Sequence, residues 1–169
     1  MDTKKICMIG DLAVGKTSLV SRYVYSQFSS DYLTTIGVKI DTKELLLNSG
    51  NRIKLVLWDI AGTDSMATIA YNYLKGAAGY LIVADGTRSA TFDSAVTLQQ
   101  QAEELLGPIP FTFMLNKYDL SDLWTLNADD TNMLESKNMS LVQCSAKTGE
   151  GVEDAFQSLG ERMSIEVKS

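Results

Sequence analysis

Gly10-Asp11-Leu12-Ala13-Val14-Gly15-Lys16-Thr17 constrains this chain more than any other stretch, because it fits the pattern G-x-x-x-x-G-K-[ST]. Such a loop belongs between a strand and a helix, and its flanks supply both. Lys4–Ile9 ends in an apolar run that reads as a buried strand. Lys16–Tyr25 carries Leu19, Val20 and Tyr23 at helical spacing. Backbone N–H groups from Leu12, Ala13, Val14, Gly15, Lys16, Thr17 and Ser18 can then converge on phosphate oxygens at the helix N-terminus. Lys16 supplies a point charge for the β/γ-phosphates, and the Thr17 hydroxyl a ligand for Mg²⁺. The alternative is a plain strand–turn–helix with incidental glycines, which Gly-Lys-Thr in this context disfavours. The chain is expected to bind a nucleoside phosphate.

At 169 residues the chain reads as one domain, 1–169, with no repeat, no low-complexity tract and only two prolines. Its net charge of −6 disfavours nucleic-acid partners and anionic membrane surfaces, though not a nucleotide, which needs only local positive charge. The apolar stretches are too short to span a membrane, so no direct insertion is expected, and the N-terminus lacks the apolar core of a signal peptide. Cys7 and Cys144 lie in strand-like runs and read as buried free thiols of a cytoplasmic protein. There is no histidine, which removes His-based acid–base chemistry and His metal ligands.

Along the chain, Gln27–Thr35 reads as a loop. Val38–Leu47 and Arg52–Trp58 read as strands joined by the turn Asn48-Ser49-Gly50-Asn51. Further strands are expected at Tyr80–Ala84, Phe111–Leu115 and Ser140–Cys144, and helices at Ala67–Leu74, Phe92–Leu106, Ala128–Ser136 and Gly151–Ile165. The alternation after the hairpin predicts an α/β fold: a six-stranded, mostly parallel sheet with one antiparallel edge pairing and about five flanking helices. Ligands of such sheets bind beyond the carboxyl ends of the strands.

Three further motifs follow strands. Asp59-Ile60-Ala61-Gly62 offers a carboxylate for Mg²⁺, through water, and a glycine that lets a backbone N–H reach a γ-phosphate. Asn116-Lys117-Tyr118-Asp119 offers a carboxylate that can accept from guanine N1–H and its exocyclic amine, donors that adenine lacks in that arrangement. Asn116 would brace the loop, and the Lys117 stem would lie over the ring. Ser145-Ala146-Lys147 would bring the Ala146 N–H to guanine O6. Each motif alone is compatible with an ordinary polar turn; their fixed order after strands points to guanine.

With Gly10-Asp11, Thr35-Ile36-Gly37-Val38, Trp58 to Gly62, Leu74 to Ala77, Asn116 to Asp119 and Cys144 to Gly149 in place, the chain resembles a small GTPase of the Ras superfamily over essentially its whole length, most similar to the Rab branch. The resemblance implies a P-loop G domain that binds GTP and GDP, hydrolyses one to the other, and switches between effector-binding states. It implies that Thr35 ligates Mg²⁺ and touches the γ-phosphate only in the GTP state, that Phe28 packs against the guanine, and that Gly62 belongs to the second switch. Lys16, Thr35, Gly62 and Thr63 would be the catalytic set. It also implies effector proteins, an exchange factor and an activating protein as partners.

The chain departs from the family at two places that matter. Thr63 stands where a glutamine usually orients the attacking water, and Leu12 where a small residue leaves room for that water and for an arginine finger. Asp64-Ser65-Met66 also differs from the Rab pattern. Slow hydrolysis is expected, with a hydrolysis-deficient, GTP-bound interaction module as the alternative. A metabolic ATP kinase is disfavoured by Asn116 to Asp119. No cysteine follows Cys144 and no polybasic tail is present. Either the sequence is the G domain of a longer chain or the protein carries no lipid anchor, so membrane association would be peripheral, through partners or a lipidated tail.

Overall fold

The structure, a computed structural model, describes residues 1–29, 35, 37–62 and 71–165. Six strands form one sheet: β1 (Asp2–Gly10), β2 (Val38–Leu46), β3 (Arg52–Ile60), β4 (Gly79–Asp85), β5 (Phe111–Asn116) and β6 (Leu141–Gln143), in the order β2-β3-β1-β4-β5-β6. Only β2 and β3 pair antiparallel, as their short turn requires; every other pairing is parallel. The described helices are α1 (Lys16–Tyr25), α2 (Tyr71–Leu74), α3 (Ser89–Leu106), α4 (Ala128–Ser136) and α5 (Val152–Ile165), with a 3₁₀ segment over Tyr118–Leu123.

The sheet separates two cores because strand side chains alternate. Ile6 and Met8 of β1 face Leu19, Val20 and Tyr23 of α1 and Phe156 and Leu159 of α5. Cys7 and Ile9 face the other way, into Phe92, Ala95 and Leu98 of α3. β4 is buried along its whole length between these layers, which is why Tyr80–Ala84 reads as an unbroken apolar run. Tyr23 and Phe156 stack at 3.9 Å between centroids and lock α1 to α5. Both cysteines are free and fully buried, and burial pushes each thiol up to about 12.

Several boundaries move from those expected. β1 begins at Asp2 because its pairing with Ile53 extends the strand beyond its apolar run. β3 continues through Asp59 and Ile60, held by Val38 and Lys39 of β2. α3 begins at Ser89, three residues before its first large apolar side chain, and β6 is only three residues long. Of the expected helix Ala67–Leu74, only its last four residues are described, as α2. α4 matches its expected span and is set by a capping box in which Asn127 and Asp130 exchange backbone N–H bonds, each at 3.1 Å. Among the described residues no helix is long and apolar enough to cross a membrane.

Candidate functional site

β1 lies at the point where the chain places β3 on one side and β4 on the other, the position at which open α/β sheets form a crevice. A cavity of about 570 Å³ opens there, at the carboxyl ends of the strands. Of the nucleotide-binding residues expected from sequence, fourteen line it: Leu12, Ala13, Gly15 to Ser18, Phe28, Thr35, Gly62, Asn116, Lys117, Asp119, Ala146 and Lys147. Val14 and Ser145 do not. Val14 is fully buried in the core beneath the loop, and Ser145 is buried behind Asp119. Thr63 and Asp64 to Met66 lie outside the described residues.

The loop from Gly10 to Gly15 needs left-handed backbone at Ala13 (φ 63°) and Gly15 (φ 103°). A Cβ on Gly15 would stand 2.2 Å from Asn116 Nδ2. Gly15 caps α1 without any side-chain bond, and no acidic residue occupies the first turn. The helix N-terminus thus meets the cavity with its dipole uncompensated, an arrangement suited to an anion. Lys16 is 6% exposed, and its Nζ donates to the carbonyls of Gly10 and Asp11, both at 3.0 Å. Burial lowers its pKa to about 8 against the opposing pull of Asp59 and Asp11. Gly62 packs directly on this group: a Cβ there would lie 2.7 Å from Lys16 Nζ and from the Asp11 carbonyl.

Beside Lys16, three oxygen-bearing side chains converge. Thr17 Oγ1 is 2.7 Å from Thr35 Oγ1 and donates to Asp59 Oδ2 at 2.5 Å. Asp59 is 1% exposed, and its Oδ1 has no hydrogen-bond partner among the described residues. Burial raises its pKa, opposed by Thr17, Lys16 and Lys39. Two hydroxyls and an under-satisfied carboxylate form a hard-oxygen set that fits Mg²⁺. Among the described residues no group of three His, Cys, Asp or Glu is placed to hold a metal, so a cation here needs further oxygens from a bound phosphate or water.

The opposite end of the cavity is tied together. Asn116 is buried, donates from Nδ2 to the Val14 carbonyl at 3.0 Å, and accepts at Oδ1 from the Ala146 N–H at 3.2 Å. The sequence reading aims that N–H at a base carbonyl; here it meets Asn116. Asp119 is exposed, and its Oδ1 accepts from Ser145 Oγ at 2.7 Å. Lys117 adopts φ 71°, with its carbonyl held by Trp124 Nε1 at 2.8 Å. Its Nζ reaches Asp85 Oδ2 at 2.8 Å and the Ala13 carbonyl at 3.4 Å. Phe28, three residues past α1, lines the wall and is 40% exposed.

Sequence reasoning missed the residues that brace this end. Asp85, 1% exposed at the end of β4, accepts from Lys117, from Arg88 Nε at 3.1 Å and from the Thr87 N–H and hydroxyl. Burial alone would raise its pKa; the bonds from Lys117, Thr87 and Arg88 outweigh it and hold the carboxyl below its usual range. Arg88 Nη2 also donates to the Leu12 carbonyl at 3.0 Å. Arg22 of α1 donates to the carbonyls of Ala146 and Lys147 at 2.8 and 2.5 Å. Asp85 follows an apolar strand as the other motifs do, so position could have flagged it. Nothing near Arg22 in sequence marks a partner 124 residues away. Ser21, Ser29, Lys39 and Leu120 complete the lining.

The profile of the Ras family matches residues 5–165. Ras-related protein Rab-7L1 of Rattus norvegicus is 32% identical over 166 residues, covering 94% of this chain and 81% of its own. Ras-related protein Rab-1 of Theileria annulata is 34% identical over 166 residues, covering 96% and 75%. Ras-related protein Rab11E of Lotus japonicus is 35% identical over 154 residues, covering 90% and 70%.

Proposed function

The chain belongs to the Ras family, as a Rab-like small GTPase that binds GTP, and on that premise we propose how its own residues run the switch. The observation that carries the proposal is the meeting of Thr17, Thr35 and Asp59 beside Lys16, at the uncapped N-terminus of α1. Thr17 and Thr35 would hold Mg²⁺ directly and Asp59 through water, while Mg²⁺ and Lys16 neutralise charge on the β/γ-phosphates. Asp119 would accept from guanine, with Ser145 fixing its carboxylate and Asn116 joining the two loops. Phe28 and the Lys117 stem would flank the ring. Thr35 and Gly62 would report the γ-phosphate to effector proteins, and its loss would release both loops. An exchange factor and an activating protein complete the cycle.

Hydrolysis is slow in this proposal. Leu12 lines the cavity, with its carbonyl held by Arg88, and its side chain would crowd the approach that a water and an arginine finger need. Thr63 is too short to orient the water as a glutamine does. In single-turnover assays, Leu12→Gly, Thr63→Gln and the double variant should hydrolyse GTP faster than the parent, by up to about 10²-fold, the lower bound of what a positioned acid–base group contributes. Variants no faster than the parent would remove the slow-hydrolysis proposal. Leu12 at the cavity also favours a second reading, a GTP-bound interaction module without turnover. Complete retention of GTP over days with Mg²⁺ present would select it. Identifying the nucleotide that co-purifies tests the guanine assignment: ATP would overturn it.

A further inference from the structure

Lys39 stands in β2 directly opposite Asp59 of β3, so both side chains leave the same face of the sheet. It lines the cavity and is half-exposed. Asp41, two residues along β2, shares that face. The Lys39 ammonium rests 3.9 Å from Asp41 Oδ2, too far for a hydrogen bond. Asp41 Oδ1 is taken by the Tyr25 hydroxyl at 2.6 Å, and Oδ2 has no hydrogen bond among the described residues. Among the described residues, a half-exposed cation on a flexible stem therefore shares one sheet face with two buried carboxylates, Asp41 and Asp59, each with one oxygen that lacks a hydrogen bond. Lys16, the other cation near Asp59, is committed to two loop carbonyls.

We propose that Lys39 is a positioning residue that stands in for the metal cation: it rests on Asp41 when Mg²⁺ occupies the site and moves to Asp59 when Mg²⁺ leaves. The physical need is plain. Asp59 Oδ1 is buried with no hydrogen-bond partner among the described residues, and Mg²⁺ would place positive charge beside it while bound. When the metal is absent, that charge is missing beside Asp59. A lysine on a flexible stem can cover that interval and withdraw when the divalent ion returns, because two cations on one carboxylate repel. Bound nucleotide would then depend less on Mg²⁺ than it would with a neutral residue at position 39. The inference rests on the proposed Mg²⁺ set of Thr17, Thr35 and Asp59.

The test uses the full chain loaded with a fluorescent GDP analogue, with release timed in saturating Mg²⁺ and in excess EDTA. The readout is the ratio of the two rates. Lys39→Met should raise the ratio about tenfold over the parent, and Lys39→Arg should restore it. An unchanged ratio in Lys39→Met, or a failure of arginine to restore a raised one, overturns the proposal. Thr17→Ala separates this inference from its premise. If its release responds to EDTA as the parent's does, Mg²⁺ is not held at that set and the premise falls, taking the inference with it. If Thr17→Ala is insensitive to EDTA while Lys39→Met matches the parent, the premise stands and Lys39 has no such part.

Discussion

At the base end of the cavity, Asn116, Lys117 and Asp119 each already hold a partner within the protein; at the phosphate end, Asp59 keeps a buried oxygen with none among the described residues, and α1 begins with no side-chain cap. In the proposed function, the base end would read one ring with a frame of side chains already fixed by internal bonds. The phosphate end would be completed only by its ligand, so that occupancy would change its energy and be transmitted to Thr35 and Gly62. A switch needs both: a part that stays satisfied throughout the cycle and a part whose satisfaction depends on the ligand.

The most severe way to break this contrast is to remove the base reader itself. In the proposed function, Asp119→Ala would delete a charged acceptor of two hydrogen bonds from guanine, each contributing about 1.5–3 kcal/mol. GDP affinity by calorimetry should fall about 10²- to 10⁴-fold, while the melting temperature without nucleotide barely changes, because Asp119 is exposed. A large loss of stability would show that Asp119 holds the fold together and does not act on the base alone.

Asp85 tests the frame next. Asp85→Asn leaves Lys117 and Arg88 without their shared carboxylate and should destabilise the fold by about 2–3 kcal/mol, since both cations stay partly solvated. The pH dependence has a definite sign. The folded carboxyl sits below its ordinary value, so the stability it contributes is fully present above about pH 4 and is lost as pH falls through the depressed folded value. Melting curves from pH 6 to 3 should decline steeply for the parent and less so for Asp85→Asn. Identical acid limbs would remove Asp85 from this account.

The smallest expected effect is at Arg22. Arg22→Ala frees two carbonyls that water can reach, so the fold should hold while the loop at Ala146 and Lys147 loosens. Nucleotide release should quicken about tenfold, equivalent to ~1.4 kcal/mol, in keeping with one or two hydrogen bonds. No change would mean that Asn116 alone fixes that loop.

The parts legible in the sequence were those that depend on neighbours in sequence. Apolar runs mark β4 and β5 because both faces of each are covered, and the α4 span is legible because the capping box that sets it joins residues three apart. Motif and resemblance place Thr17, Thr35 and Asp59 on the site, and the structure brings Thr35 and Asp59 each within hydrogen-bond reach of Thr17. What escaped depends on distant pairing. The start of β1 is set by Ile53, the end of β3 by β2, and Arg22 by a loop at the far end of the chain. Ser145 reads as a ligand-facing residue from its tripeptide; only the fold reveals that it faces Asp119.

The chain's two tryptophans are Trp124, bonded to Lys117, and Trp58, the strand neighbour of Asp59 on the opposite face of the sheet. Trp124 is edge-on to Tyr118 and bonded to the Lys117 carbonyl, within the base frame. Trp58 precedes Asp59 in β3, with Lys5 Nζ 3.6 Å above its ring. The protein thus carries two built-in optical probes. With Trp124→Phe and Trp58→Phe as silencing partners, the emission of each indole can time events beside its own neighbour, Lys117 or Asp59, without a label, as nucleotide and Mg²⁺ come and go.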